Sequence, residues 1–270
     1  MNRTFKLTVA YDGTDFAGWQ VQPGQQTIQG RIQRAIERLT GAHVPVVGSG
    51  RTDAGVHALA QVASCTLPQW TGTAKNLASA INTKLPDSIA ITDAIDAPDG
   101  FHAIRDAVSK RYRYQIRIGG GRDVFDHRYR LLIRYRVDVE QMRAAAQRIV
   151  GTLDFASFQA SGAVRQSTVR TVSCCEILAD PPTGDSTAIQ APKLMSIEIQ
   201  ADGFLYNMVR NIVGTLIEVG RGKYSPEWID KVIEAKNRDI AGPTAPAHGL
   251  FLKEVHYAPF RNTSSEAASA

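Results

Sequence analysis

From Arg111 to Ile118 the chain alternates without a break: Tyr112, Tyr114, Ile116 and Ile118 fall on one side of an extended backbone, and Arg111, Arg113, Gln115 and Arg117 fall on the other. A period of two belongs to a strand, so one face packs and the other meets solvent or an anionic partner. The same period appears at Phe5, Leu7 and Val9. Helical spacing takes over at residues 27–39, where Ile28, Ile32, Ala35, Ile36 and Leu39 share a face and Gly41 stands just beyond as a terminator. The opposite face carries Arg31, Arg34 and Arg38, open to solvent or to a polyanion.

Further strands are expected at residues 44–47, 61–67, 89–94, 170–178, 194–200 and 251–257, with helices at 74–81 and 207–219. Asp138 with Gln141 three positions later predicts a capping box, and Met142, Ala145, Ala146 and Ile149 give that helix its apolar stripe. Ser225 and Pro226 predict the cap and first turn of a helix ending near Lys236. Strand, helix, strand and loop thus occur twice. The fold class is α+β, divided into lobes at 1–105 and 106–260, with 261–270 expected as a small, polar, disordered tail.

Composition narrows the class of protein. No run of about 18 apolar residues offers a membrane span, and the first residues lack the apolar block of a secretory signal, so a cytoplasmic location is expected. Cys65, Cys174 and Cys175 have no metal-ligand spacing and read as buried free thiols; no metal and no cofactor is expected. Positive charge is concentrated: residues 105–136 hold ten Lys or Arg against three Asp, in a chain whose net charge is only +5. With Tyr112, Tyr114, Phe125, Tyr129 and Tyr135 interleaved, this segment suits a surface that tracks phosphates. It equally suits strand edges kept soluble by charge.

The densest chemistry lies in the eleven residues Gly48 to Ala58, which read Gly-Ser-Gly-Arg-Thr-Asp-Ala-Gly-Val-His-Ala. Gly48, Gly50 and Gly55 permit positive φ and close approach, and small neighbours leave Arg51 and Asp53 projecting. Asp beside Gly also suits an ordinary turn. The loop lacks the Gly-Lys-Ser/Thr ending that would hold nucleotide phosphates and magnesium. His57 and His102 have no carboxylate partner at a telling spacing and read as turn or core residues.

This string, with Tyr11-Asp12-Gly13, Gly18-Trp19-Gln20, Asp99-Gly100-Phe101-His102-Ala103, Arg111-Tyr112-Arg113-Tyr114 and Met208-Val209-Arg210-Asn211-Ile212-Val213-Gly214 in order, resembles the TruA family of tRNA pseudouridine synthases. The resemblance runs from about Phe5 to about Tyr257. It implies two pseudo-symmetric ferredoxin- or RRM-like lobes with a shared antiparallel sheet and a central cleft. It further implies isomerisation of uridine to pseudouridine at positions 38, 39 and 40 of the tRNA anticodon arm, by base flipping. Asp53 is the implied nucleophile, Arg210 its cationic partner and Tyr112 the active-site tyrosine. Arg51, two residues from Asp53, is expected from its place and its planar guanidinium to hold a flanking phosphate or to fill the space the flipped base leaves. A homodimer is implied as well, with one tRNA touching both subunits.

Two other readings share the scaffold: a non-catalytic RNA-binding protein, whose hallmark would be loss of the Asp, and a synthase acting on another RNA. Tyr112 itself has two readings, since its strand face would place it in the core with Tyr114 and Ile116 whatever its chemistry.

Overall fold

The computed structural model describes residues 2–68, 70–160, 162, 166–179 and 193–260. In chain order its first half holds β1 (Asn2–Tyr11), α1 (Ile28–Thr40), β2 (Val47–Gly48), β3 (His57–Pro68), α2 (Ala74–Asn82), β4 (Ile89–Ala97) and β5 (Ala107–Ile118). There follow β6 (Leu131–Ile133), α3 (Val139–Gln147), β7 (Gly151–Asp154), β8 (Val169–Ala179), β9 (Lys193–Ala201), α4 (Met208–Gly220), α5 (Trp228–Ala235) and β10 (Leu250–Tyr257). The loop expected at 180–193, apart from Lys193, and the tail at 261–270 lie outside the described residues.

All ten described strands join one sheet, in the order β4-β1-β3-β10-β5-β9-β8-β7, with β2 on β3 and β6 on β5. The α+β class therefore stands, and most pairings are antiparallel. The join differs. β10 runs antiparallel to β5 but parallel to β3, pairing Phe251 with His57 and Leu252 with Ala58. The last strand of the chain thus fills the gap between the first and second halves, directly beside the residues that leave the Gly48-to-Ala58 loop.

Local signals explain the helices. Thr27 caps α1 by accepting from the Gly30 amide, and Gly41 ends it in left-handed backbone at φ 71°. Asp138 caps α3 by accepting from the Glu140 and Gln141 amides. The reciprocal half of the capping box is not made, because the Asp138 amide donates to the Gly220 carbonyl at the end of α4. α5 begins at Trp228, later than Ser225 and Pro226 predict; those two residues accept turn bonds from the Trp228 and Ile229 amides instead.

One continuous core runs under both halves, from Phe5, Leu7 and Val9 beneath α1 to Tyr112, Tyr114 and Ile116 beside α4. α4 is buried all round, as a helix enclosed on every side must be. Every residue of it is buried except Arg210. Cys65 and Cys175 are buried thiols, while Cys174 is half-buried. No helix among the described residues is long and apolar enough to cross a membrane.

The polar face of β5 meets a buried carboxylate. Glu198, opposite Arg113 in the β5–β9 register, is 1% exposed and sits among Arg111, Arg113 and Lys253. A strand pairing thus sets a buried carboxylate against Arg111 and Arg113, whose side chains stay 22% and 32% exposed.

Candidate active site

The Asp53 loop is built from its neighbours upward. At Gly48 a Cβ would come within 2.3 Å of the Trp19 ring, so glycine is what lets that indole pack against the loop. Ser49 Oγ donates to Gln61 Oε1 at 2.6 Å, and Gln61 Nε2 returns a bond to the Gly50 carbonyl at 3.0 Å. Thr52 is pinned on two sides: its carbonyl accepts from the Trp19 amide at 3.0 Å and its hydroxyl meets the Tyr11 hydroxyl at 2.8 Å. Asp53 then opens a tight turn closed by the Val56 amide on its carbonyl at 3.1 Å, with Gly55 at φ 75° as such a turn requires. Of the three loop glycines, only Gly55 uses positive φ.

Arg210 reaches this turn from α4, 157 residues away in sequence, with Nη1 3.5 Å from Asp53 Oδ2. That is long for a charge-assisted bond, which ordinarily closes to about 2.7–2.9 Å. Its other contacts are to neutral acceptors: Nε donates to the Ala245 carbonyl at 2.7 Å and Nη1 to Asn207 Oδ1 at 2.8 Å. The 242–246 segment is fastened in turn by bonds from the Ala245 amide to the Arg210 carbonyl, from Thr244 Oγ1 to Asn211 Oδ1, and from the Tyr114 hydroxyl to the Pro246 carbonyl.

Burial raises the Asp53 carboxyl above the usual range, and the charge and hydrogen bond of Arg210 only partly oppose it. The balance is a carboxylate that is neither fully solvated nor tightly paired. Tyr112 projects from β5 near this carboxylate; its phenol is pushed up by burial, then by the neighbouring Tyr11 and Asp53. The ring is 7% exposed and meets the edge of Phe204 at a centroid distance of 5.0 Å. Both readings of Tyr112 therefore coincide in one place, because it is a core residue whose neighbour is Asp53. Arg51 is exposed and forms no hydrogen bond or ion pair with the described residues.

His57 and His102 serve the frame. His57 is 1% exposed and burial lowers its pKa; its Nδ1 accepts from the Gly13 amide, while Nε2 faces the Arg128 and His248 carbonyls. Contrary to the sequence expectation, it has a carboxylate neighbour, Asp12 Oδ1 at 3.1 Å from Nδ1, which opposes that lowering and is brought there by the fold from 45 residues away. His102 Nδ1 accepts from the Ile104 and Arg105 amides, closing a turn. Sequence reading passed over Asn207, Phe204 and Tyr11 as members of this constellation. Asn207 had one available signal, an Asn placed immediately before a helix that has no Ser or Thr to cap it.

A carboxylate and a guanidinium brought together from distant parts of the chain, with a tyrosine nearby and an exposed Arg two residues from the carboxylate, are the kind of constellation in which a carboxylate can serve polar chemistry. Comparison with known proteins names the class: a family model described as tRNA pseudouridine synthase matches residues 7–105 and 145–258, and the chain belongs to this family of isomerases. More particularly, it is 41% identical over 258 residues to tRNA pseudouridine synthase A of Latilactobacillus sakei, spanning 95% of this chain and 100% of that one. It is 46% identical to the tRNA pseudouridine synthase A of Bacillus licheniformis over 93% of this chain and 98% of that one. Among solved structures, an archaeal box H/ACA sRNP Nop10-Cbf5 complex matches 88% of this chain and 60% of that chain at 13% identity, with a TM-score of 0.32.

Proposed function

We propose that this protein converts uridines 38, 39 and 40 of the tRNA anticodon arm to pseudouridine, with Asp53 as the nucleophile. The observation that carries the reading is the meeting of Asp53 and Arg210 across 157 residues of sequence, with Tyr112 alongside. The chemistry breaks the C1′–N1 bond, turns the uracil and joins C1′ to C5, with loss of the C5 proton. Each step is polar, so a carboxylate that can form a covalent intermediate suffices to start it.

Roles follow from placement. Asp53, raised by burial and supported by the charge of Arg210, attacks the base or sugar. Arg210 favours the ionised form and steadies charge that moves during attack. Tyr112 offers its ring edge or face to a uracil taken out of the RNA stack, a step costing a few kcal/mol that pocket contacts offset. Its phenol, pushed further from neutrality, is a poor base, so stacking and positioning come first. Arg51, exposed and without a hydrogen bond or ion pair among the described residues, holds a flanking phosphate or fills the space the base leaves.

The chain is read as two lobes, 1–105 and 106–260, acting as a cytoplasmic homodimer on one tRNA. Pseudouridine mapping of tRNA incubated with the purified protein tests the whole reading. Modification confined to 38–40 is the expected result; modification elsewhere, or of another RNA only, overturns the substrate.

A further inference from the structure

Asn207 stands at the start of α4 in left-handed backbone, φ 58°, one of two non-glycine residues with positive φ among those described. Asn tolerates that region better than most side chains. An Asn in this place normally caps the helix by accepting from an amide of the first turn. Here it makes no capping bond. Its Oδ1 accepts from Arg210 Nη1 at 2.8 Å, and that same nitrogen lies 3.5 Å from Asp53 Oδ2. With Nε tied to the Ala245 carbonyl at 2.7 Å, the guanidinium is tethered at two nitrogens, both times by a neutral oxygen.

We propose that Asn207 is a positioning residue: its neutral amide oxygen holds Arg210 in the long 3.5 Å contact that supports the Asp53 carboxylate, short of the closer ion pair that would occupy the attacking oxygens. The inference rests on the reading of Asp53 as the nucleophile. A neutral acceptor is the group that can do this, since it orients a cation without cancelling its charge. A carboxylate in the same place would compete with Asp53 for Arg210, and no acceptor at all would free Nη1 to swing onto Asp53 Oδ2. The other titratable groups facing the pair are Tyr112 from β5 toward Asp53, and Tyr114 from β5 and His248 just before β10 toward Arg210.

The test compares Asn207→Gly and Asn207→Asp in the full chain. Glycine keeps the left-handed backbone and removes the amide; aspartate keeps the shape and adds charge. The Asp53 pKa is read from a carboxyl-carbon NMR titration, beside single-turnover pseudouridine formation and tRNA affinity. In Asn207→Gly, Arg210 closes on Asp53, the Asp53 pKa falls, and turnover drops roughly 10- to 100-fold, the scale of a misplaced reacting group, with tRNA affinity unchanged. In Asn207→Asp the Asp53 pKa moves the other way and the acid limb of the rate profile rises in pH. Wild-type pKa and turnover in both variants, or shifts of the same sign, overturn the proposal. Should the glycine variant fail to fold, the near-isosteric aspartate variant carries the test alone. An active Asp53→Asn would overturn the nucleophile itself, whereas an inactive Asp53→Asn beside a fully active Asn207→Gly overturns this inference only.

Discussion

Glu198, 1% exposed, has Arg111 at 2.6 Å, Arg113 at 2.7 Å and Lys253 at 3.0 Å, whereas Asp53, 30% exposed in the loop before β3, has among the described residues one cation, Arg210, at 3.5 Å. Burial pushes both carboxyls up. At Glu198, hydrogen bonds from Lys253 and Arg113 and the charges of Arg111 and Arg113 overcome it, and the pKa is lowered; at Asp53 burial wins and the pKa is raised. One carboxylate is held as a structural anion with its lone pairs engaged. The other is less tightly held, and under the proposed function its freer oxygens come at a cost in stability, as at many reactive sites.

Asp53→Asn should break the comparison most severely. The amide keeps the shape and lacks the nucleophilic charge, so pseudouridine formation is lost while tRNA affinity stays within a few-fold. A residual rate above about one per cent of wild type, which corresponds to ~2.7 kcal/mol of barrier, would remove Asp53 from the nucleophile's role. The same variant should be at least as stable as wild type at neutral pH. A carboxyl whose folded pKa lies above its unfolded value of about 3.9 weakens the fold wherever it is ionised, and that cost disappears as pH falls toward and below the unfolded value. Urea midpoints at pH 7 and at pH 3.5 measure it, and the advantage of the amide should shrink in acid.

Glu198→Gln should behave in the reverse way. Removing a buried anion leaves three cations crowded together, and breaking such a pair costs about 3–5 kcal/mol when the partners are wholly buried. Because Arg111, Arg113 and Lys253 are partly exposed, about 2–3 kcal/mol is expected here. Sign is again decisive: Glu198 has a lowered folded pKa, so its contribution is present above the unfolded value of about 4.3 and is lost as pH falls through the folded value. The deficit of the glutamine variant should therefore be full at pH 7 and small in acid, with turnover of the folded fraction unchanged. A variant that folds as well as wild type but loses turnover would make Glu198 part of the site.

Tyr112 lies between these two regimes, a core residue whose neighbour is Asp53. Tyr112→Ala should lower turnover by at least the ~1–3 kcal/mol typical of a lost base stack, while Tyr112→Phe keeps ring, packing and tRNA affinity. If the hydroxyl handles the C5 proton, the Phe variant reaches a bond-cleaved intermediate and stalls before tritium leaves 5-tritiated uridine. Wild-type turnover in both variants, with lower stability as their only defect, would return Tyr112 to the core.

The sequence makes one half of this contrast far plainer than the other. Periodicity locates α1, α3, α4 and β5 because each carries a long apolar face, and Thr27, Gly41 and Asp138 mark ends through local hydrogen bonds. It passes over β6 and β7, three and four residues long, since so short a run has no period to detect. It makes Asp53 conspicuous through its glycines. Only resemblance leads to Arg210, because residues 157 apart meet through tertiary packing that no local pattern encodes. Glu198 is harder still, a lone acid in an alternating strand, whose meaning depends on the register that sets it against Arg113. The parallel join of β10 to β3 is likewise a product of long-range pairing.

The smallest effect separates an engaged guanidinium from a free one. Arg51 and Arg113 are both arginines in segments whose sequence suits RNA contact, yet Arg113 is bound to Glu198 at 2.7 Å while Arg51 has no partner among the described residues. A phosphate contact displaces a condensed counterion, so each one lost flattens the slope of log affinity against log salt by about 1. Arg51→Ala should show that change, with weaker tRNA binding at low salt and little difference at high salt. Arg113→Ala should leave the slope nearly as it was, because its charge already serves Glu198, and should instead lower the unfolding midpoint. Equal slope changes from the two substitutions would show that RNA can draw Arg113 away from Glu198, and that the charged face of β5 is a binding surface after all.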